Sequence, residues 1–150
     1  MDFLNEIFLP CLYSFIASLA FGIQFNIRFK HIAAAAIGGI ISQLIFSVTE
    51  LTESSELMGY FIASCAISLY AEILARRLKV PVNMYLVISI IPLVPGGYIY
   101  QAMITLIGGN TAEFMDRCAN TFAIAGSIAM GVFAVSSLVR LVRTMAKKAI

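Results

Sequence analysis

The feature that most constrains this chain is a series of five long apolar segments separated by short polar ones. A helix that crosses a bilayer needs roughly 20 mostly apolar residues, because the hydrocarbon core is about 30 Å thick. These segments are continuous and do not alternate as the strands of a membrane barrel do. They predict five transmembrane helices, at about residues 7–25, 32–48, 57–75, 82–107 and 119–139.

The composition of the chain agrees with a membrane protein. Hydrophobic residues make up 61% and charged residues 12%, whereas a soluble domain has about 25% charged residues. We therefore expect an all-α, polytopic membrane bundle that forms a single domain over residues 1–150. Asp2 and Glu6 precede the first apolar segment, and a cleaved signal would begin with positive charges, so this segment is predicted to be a permanent span.

The charges of the polar segments predict the orientation of the bundle. Short loops rich in Lys and Arg stay in the cytoplasm, so the N-terminus is expected outside and the C-terminus inside. The predicted inner cations are Arg28, Lys30, Arg76, Arg77, Lys79, Arg140, Arg143, Lys147 and Lys148. The predicted outer side carries Asp2, Glu6, Glu50, Glu53, Glu56, Glu113 and Asp116, together with one cation, Arg117. The net charge of +2 thus reflects topology and does not indicate nucleic-acid binding.

The fourth apolar segment contains "ISIIPLVPGGYIYQAM", in which residues that break helices lie deep in the predicted span. Counted from Val82 at about 1.5 Å per residue, Pro92 lies roughly 15 Å in, near the membrane midplane. An interior proline costs a soluble helix about 3 kcal/mol and a glycine about 1 kcal/mol. The sequence therefore predicts a discontinuous fourth helix that builds a site, with a purely structural bend as the alternative.

Such a break offers backbone groups to a ligand. Pro92 and Pro95 have no N–H, so the carbonyls of Ile88 and Ile91 are expected to lose their helical partners and to accept from a cation or ammonium group. If Pro95 opens the second half-helix, the next three amides form an anion site of the kind that secondary transporters use. The predicted binding residues are Ile88, Ile91, Pro92, Pro95, Gly96, Gly97, Tyr98 and Gln101.

Polar residues recur at a spacing of four on other predicted helices, and residues four apart share a helix face. The candidates for a transport pathway or for coupling are Gln43, Ser64, Ser68 and Glu72. The alternative for the small hydroxylated residues is ordinary packing between membrane helices. Glu72 has an alternative of its own, which is an ion pair with Arg76 four residues later.

No enzymatic or metal chemistry is indicated. Cys11, Cys65 and Cys118 have no metal-ligand spacing, and His31 lies in a short basic loop. No nucleophile, base and orienting group occur together, so we expect no enzyme and no cofactor.

The stretch "IPLVPGGYIYQAM", the five predicted spans and the chain length resemble the threonine/serine exporter family over essentially the whole chain. The resemblance is to the short, five-helix half of that family, which is similar to the C-terminal half of the fused exporters. The resemblance implicates Pro92, Pro95, Gly96 and Gly97 as its motif. It implies a multi-pass exporter of threonine and serine in the bacterial inner membrane. Split members of the family are also linked to the export of dicarboxylates such as succinate.

The resemblance further implies a partner. In fused exporters one half of five spans follows another, so a complementary half on a separate chain is expected in the bilayer, and a higher oligomer is possible. An odd number of spans inverts the second half relative to the first, as alternating access requires. The leading interpretation is a half-transporter that exports threonine or serine and is coupled to the proton gradient. The alternatives are a dicarboxylate exporter subunit and a non-transporting membrane scaffold.

Overall fold

The computed structural model describes residues 7–52 and 55–148 of the chain. Three of the predicted outer acids, Asp2, Glu6 and Glu53, lie outside the described residues. Within the described residues every regular element is helical and there is no strand, which confirms the all-α prediction. The helices are α1 (Leu9–Gln24), α2 (Phe29–Leu51), α3 (Glu56–Leu78), α4 (Val82–Ile90), α5 (Gly96–Ile107) and α6 (Thr111–Lys148), with a 3₁₀ turn at Ile91–Leu93.

Four of the predicted spans each overlap a single helix, and the fourth span is divided between α4, the 3₁₀ turn and α5. Not all of these helices are long enough to cross a membrane. Among the described residues, α2, α3 and α6 have the length and hydropathy for a crossing, and the bent pair formed by α4 and α5 is a fourth if it is one span. Helix α1 has 16 residues, which at about 1.5 Å per residue gives about 24 Å, less than the hydrocarbon core. The structure therefore supports three or four crossing helices, and five remains a prediction.

Helix α2 lies at the centre of the bundle. It packs against α1, α3 and α4, while α3 also contacts α6, and α5 packs along α6. In the most apolar window of α6 only 17% of the residues are buried, against 39% in α2 and in α3. Helices α5 and α6 therefore form the edge of the bundle, and most of the α6 surface contacts no other described residue of the chain.

Glycines allow the helices to approach closely. A Cβ atom at Gly38 of α2 would lie 2.0 Å from Ser89 Oγ of α4. A Cβ atom at Gly131 of α6 would lie 2.0 Å from Ser64 Oγ and 2.8 Å from the carbonyl oxygen of Phe61, both on α3. Small residues at these positions bring the backbones together, as is typical of packed membrane helices.

The two ends of the bundle differ in charge. At one end Arg76, Lys79 and Arg143 line a common cleft, so the basic ends of α3 and α6 lie side by side. At the other end Tyr98 bonds to Glu56, where α3 begins. The described contacts thus place three cations, together with Glu72, at the end of α3 and the carboxylate of Glu56 at its beginning, and the orientation in the membrane remains a prediction.

Candidate functional site

The predicted break in the fourth apolar segment is present. Helix α4 ends at Ile90, the 3₁₀ turn follows, and Val94 is extended, with φ −62° and ψ 126°. Helix α5 then begins at Gly96, and the two helical pieces meet at 50°. The cause is local, because Pro92 and Pro95, three residues apart, remove two N–H donors from the helical hydrogen-bond ladder.

The carbonyls beside the break are not the open acceptors that the sequence predicts. The Ile88 carbonyl accepts from the N–H of Ile91 and from Ser18 Oγ, the latter at 3.4 Å. The Ile91 carbonyl accepts from the N–H of Val94 at 3.1 Å. The reason is the 3₁₀ turn, which pairs each carbonyl with the residue three positions later and so replaces the donors that proline lacks.

The start of α5 lies one residue later than predicted, since Pro95 is the N-cap residue and Gly96 the first helical one. The N–H of Gly96 is not free, because it donates to the Val94 carbonyl at 2.7 Å. The amides of Gly97 and Tyr98 belong to the first turn, where no intrahelical acceptor exists. Among the described residues neither amide donates to any acceptor. Two free donors therefore stand at the positive end of the α5 dipole.

The space in front of these amides is open. A Cβ atom placed on Gly96 or Gly97 would meet no atom within 4 Å, and both glycines are exposed. Leu93 and Pro95, by contrast, are buried against the bundle. At the break, Leu93 and Pro95 thus pack in the core, whereas Gly96 and Gly97 face outward, where a ligand or another chain can reach the backbone.

Side chains of α5 connect the break to two other helices. The Tyr98 hydroxyl donates to the carboxylate of Glu56 at the start of α3. The amide oxygen of Gln101 accepts from Arg117 of α6. Arg117 also pairs with Glu113, at 2.7 Å between Nη2 and Oε1. An acid and a cation from distant parts of the chain therefore flank the first two turns of α5.

Glu56 and Arg117 read as loop charges in the sequence, and their place beside the break was not predicted. The sequence offered a hint for Arg117, because it is the one cation among the predicted outer acids and so invites a search for its partner. The sequence offered no such hint for Glu56, since 42 positions separate it from Tyr98 and no local pattern joins the two residues.

Two of the four pathway candidates have packing roles. Ser64 Oγ donates to the Phe61 carbonyl of its own helix at 2.8 Å and faces Gly131. Gln43 links Ser14 of α1 with Ser47 of α2 through two bonds of 3.4 Å. These contacts agree with the alternative interpretation, in which such polar residues serve packing between membrane helices.

The other two candidates, both on α3, differ from this pattern. Ser68 Oγ is buried and has no hydrogen-bond partner among the described residues. A buried polar group without a partner is unfavourable and calls for an explanation. Glu72 pairs with Arg76 at 3.2 Å, and its side chain is 12% exposed. The ion pair predicted as the alternative for Glu72 is therefore present.

Within the described part of the chain, no group of three His, Cys, Asp or Glu residues is placed to hold a metal ion. Cys11, Cys65 and Cys118 are free thiols. Cys65 makes its contact with the Gly131 carbonyl, at 3.6 Å, and so belongs to the interface of α3 with α6.

Comparison with known proteins gives one family and one weaker relative. A family model described as "Threonine/Serine exporter, ThrE" matches residues 10–138. A protein of Haemophilus influenzae, named only as an uncharacterized protein, is 24% identical over 138 residues, which cover 87% of this chain and 46% of that protein. The chain thus spans about half the length of this curated relative. No solved structure matches.

The family match includes the whole of the break and the residues around it. It begins within the first turn of α1 and ends well inside α6. Because it covers most of the chain, the chain belongs to the threonine/serine exporter family.

Proposed function

We propose that this chain is one half of an exporter that carries threonine or serine across the bacterial inner membrane, together with a complementary half. Membership of the exporter family supports transport as the function. The observation that carries the proposal is the broken helix, whose second piece presents two free amides to open space.

The amides of Gly97 and Tyr98 are the proposed anchor for the substrate carboxylate. They lie at a helix N-terminus, where the dipole and the unpaired N–H groups both favour an anion. Gly96 and Gly97 have no Cβ, so the carboxylate can approach the backbone closely. Half-helix ends inside the bundle are used in this way by secondary transporters.

Glu56 supports an amino acid over a dicarboxylate as the substrate. Its carboxylate accepts a hydrogen bond from the Tyr98 hydroxyl. Only the length of the Tyr98 side chain therefore separates this negative charge from the Tyr98 amide in the proposed anchor. The ammonium group of threonine or serine is attracted by that charge, whereas the second carboxylate of succinate is repelled. Arg117, the cation that a second carboxylate would need, is already paired with Glu113.

A complementary half is proposed to close the site. Gly96 and Gly97 face open space, so no described residue of this chain encloses a substrate on that side. The adjacent helix α6 is mostly unburied. The chain also spans about half of the relative it matches. We therefore infer that a second set of helices covers α5 and α6, with a higher oligomer as a further possibility.

Two residues of α3 are proposed for the pathway and for coupling. The unpartnered hydroxyl of Ser68 is available to a passing substrate or water. Glu72 is the proposed proton carrier, with Arg76 as its partner in the resting state. Intramembrane acids are costly and mark proton pathways in transporters.

Reconstitution tests the proposed function. Proteoliposomes that contain this chain and its complementary half should show counterflow of labelled threonine and serine, and liposomes with either half alone should not. Labelled succinate should stay at the background rate. Succinate counterflow would instead identify a dicarboxylate exporter. If threonine, serine and succinate all show no flux, the result favours the non-transporting scaffold.

The proposed orientation is tested by labelling in intact cells. In a variant whose three native cysteines are replaced by serine, a new cysteine at Glu50 should react with an impermeant thiol reagent added outside. A cysteine at Lys79 should react only after the cells are permeabilised, because the basic end of the bundle is expected in the cytoplasm. The opposite labelling would reverse the topology and with it the inverted arrangement of the two halves.

A further inference from the structure

A cleft lies at the basic end of the bundle, away from the break. It has a volume of about 520 Å³ and is formed by the end of α3, the turn into α4 and the C-terminal part of α6. Its polar lining consists of Glu72, Arg76, Lys79 and Arg143. Residues from positions as distant as 72 and 143 therefore meet around one space.

The cleft has an excess of positive charge. Its lining contains three cations and one carboxylate, so its formal charge is 3 − 1 = +2. The carboxylate of Glu72 is held by Arg76 at 3.2 Å. In the part of the chain that the structure describes, no acid pairs with Lys79 or Arg143. Two cations from different helices are thus left to share an anion from outside the chain.

The backbone turn at the end of α3 places Lys79 at the edge of the cleft. Lys79 ends α3 in the left-handed conformation, with φ +55°. The N–H of the following residue, Val80, returns to the Ala75 carbonyl at 3.1 Å, which closes the end of the helix. Because backbone bonds hold this turn, the fold places the Lys79 backbone at the edge of the cleft without an acidic partner among the described residues.

Apolar surface borders the cations. Val80 and Val82 line the same cleft. Ala75 and Pro81 complete its apolar lining. A ligand of this cleft can therefore place a charged head among the cations and an apolar chain along the helices, an arrangement that is typical of lipid headgroup sites at the cytoplasmic side.

We propose that this cleft binds a phosphate-bearing anion, with an anionic phospholipid or a soluble phosphate as its source. The tetrahedral phosphate has enough oxygens to accept from Arg76, Lys79 and Arg143 at once, and such charge-assisted bonds are strong. This site is separate from the proposed substrate site at the break and needs no transport to be observed.

Thermal unfolding of the full chain in a neutral detergent tests the proposal. The three free thiols provide a signal for unfolding through a thiol-reactive dye. Dioleoyl phosphatidylglycerol should raise the melting temperature by several degrees, since a ligand that binds only the folded state stabilises it, and dioleoyl phosphatidylcholine should not. The double variant Lys79→Gln with Arg143→Gln should lose that increment.

The matched control is Arg28→Gln with Lys30→Gln, which removes the same charge without touching the lining of the cleft, and it should keep the increment. The single variant Arg143→Gln, on the exposed part of α6, should lose much of it even if the double variant folds poorly. An equal increment with inorganic phosphate would identify the soluble source. No increment with either compound, or one that persists in the cleft variants, would overturn the proposal.

Discussion

Replacing Pro92 and Pro95 together with alanine is expected to abolish transport in a protein that still folds. The change returns two N–H donors, so the Ile88 and Ile91 carbonyls regain helical partners four residues away. A continuous helix then removes the bend of 50° and gives the amides of Gly97 and Tyr98 acceptors within the helix. No free donors remain for the substrate carboxylate.

The expected loss is large. A hydrogen bond to a charged group contributes about 1.5–3 kcal/mol, so two such bonds correspond to roughly 10²- to 10⁴-fold in substrate affinity. The melting temperature without substrate should stay the same or rise, because an interior proline disfavours a helix by about 3 kcal/mol. A site that is strained for function commonly shows this exchange of stability for activity.

The control for the double variant is Pro10→Ala. Pro10 lies in the first turn of α1, where the missing N–H has no helical partner to lose, so flux should be normal. Flux and melting temperature should be measured on the same preparation. A bend that serves only packing predicts a lower melting temperature and flux that falls only with the folded fraction. Normal transport by the double variant would exclude the binding site.

Gly97→Val is expected to remove the thermal stabilisation that threonine or serine should give to the proposed exporter complex. The valine occupies the space in which the carboxylate would meet the amides of Gly97 and Tyr98. The chain itself tolerates the change, because a Cβ at Gly97 meets no atom within 4 Å and its φ does not lie in the left-handed region. The melting temperature without substrate should therefore equal that of the unmodified protein.

Gly126→Val is the matched control for this test. Gly126 lies on α6, in the surface that the complementary half is proposed to cover, and a Cβ atom placed there would also meet no atom within 4 Å. The substitution therefore adds the same bulk to the proposed interface but away from the amides of the break. It should leave the stabilisation by substrate intact. Size-exclusion chromatography should show assembled exporter for both variants. Stabilisation that persists in Gly97→Val, or loss of assembly without loss of binding, would contradict the proposed carboxylate site.

The sequence was sufficient for the features that depend on local chemistry. Apolar segment length predicts where the helices lie, and the missing N–H groups of Pro92 and Pro95 predict that the fourth one breaks. The hydrogen bonds at the break could not be predicted, because the 3₁₀ turn gives the Ile88 and Ile91 carbonyls new donors. That turn depends on how the bundle holds Leu93, which is almost fully buried.

The side-chain contacts around the break could not be predicted from the sequence for a different reason. Tyr98 meets Glu56 and Gln101 meets Arg117 only after α3, α5 and α6 have packed. Periodicity places Ser64 and Ser68 on similar faces of α3, yet it cannot show that one hydroxyl finds a carbonyl and the other finds nothing. Such distinctions depend on contacts between helices, which a pattern within one helix does not contain.

The close fit at Gly131 has a mechanical consequence for alternating access. With Ser64 and Phe61 packed so tightly against Gly131 that no Cβ fits, sliding α6 along α3 would force atoms to overlap. Relative sliding of α3 and α6 is therefore unfavourable, and α3 is in turn packed against α2 and α4. The non-helical link at Val94 and Pro95 leaves α5 as a separate helical piece, bent by 50° from α4. If the proposed exporter opens and closes, the expected movement is a change of this angle by α5, with α3 and α6 kept in contact.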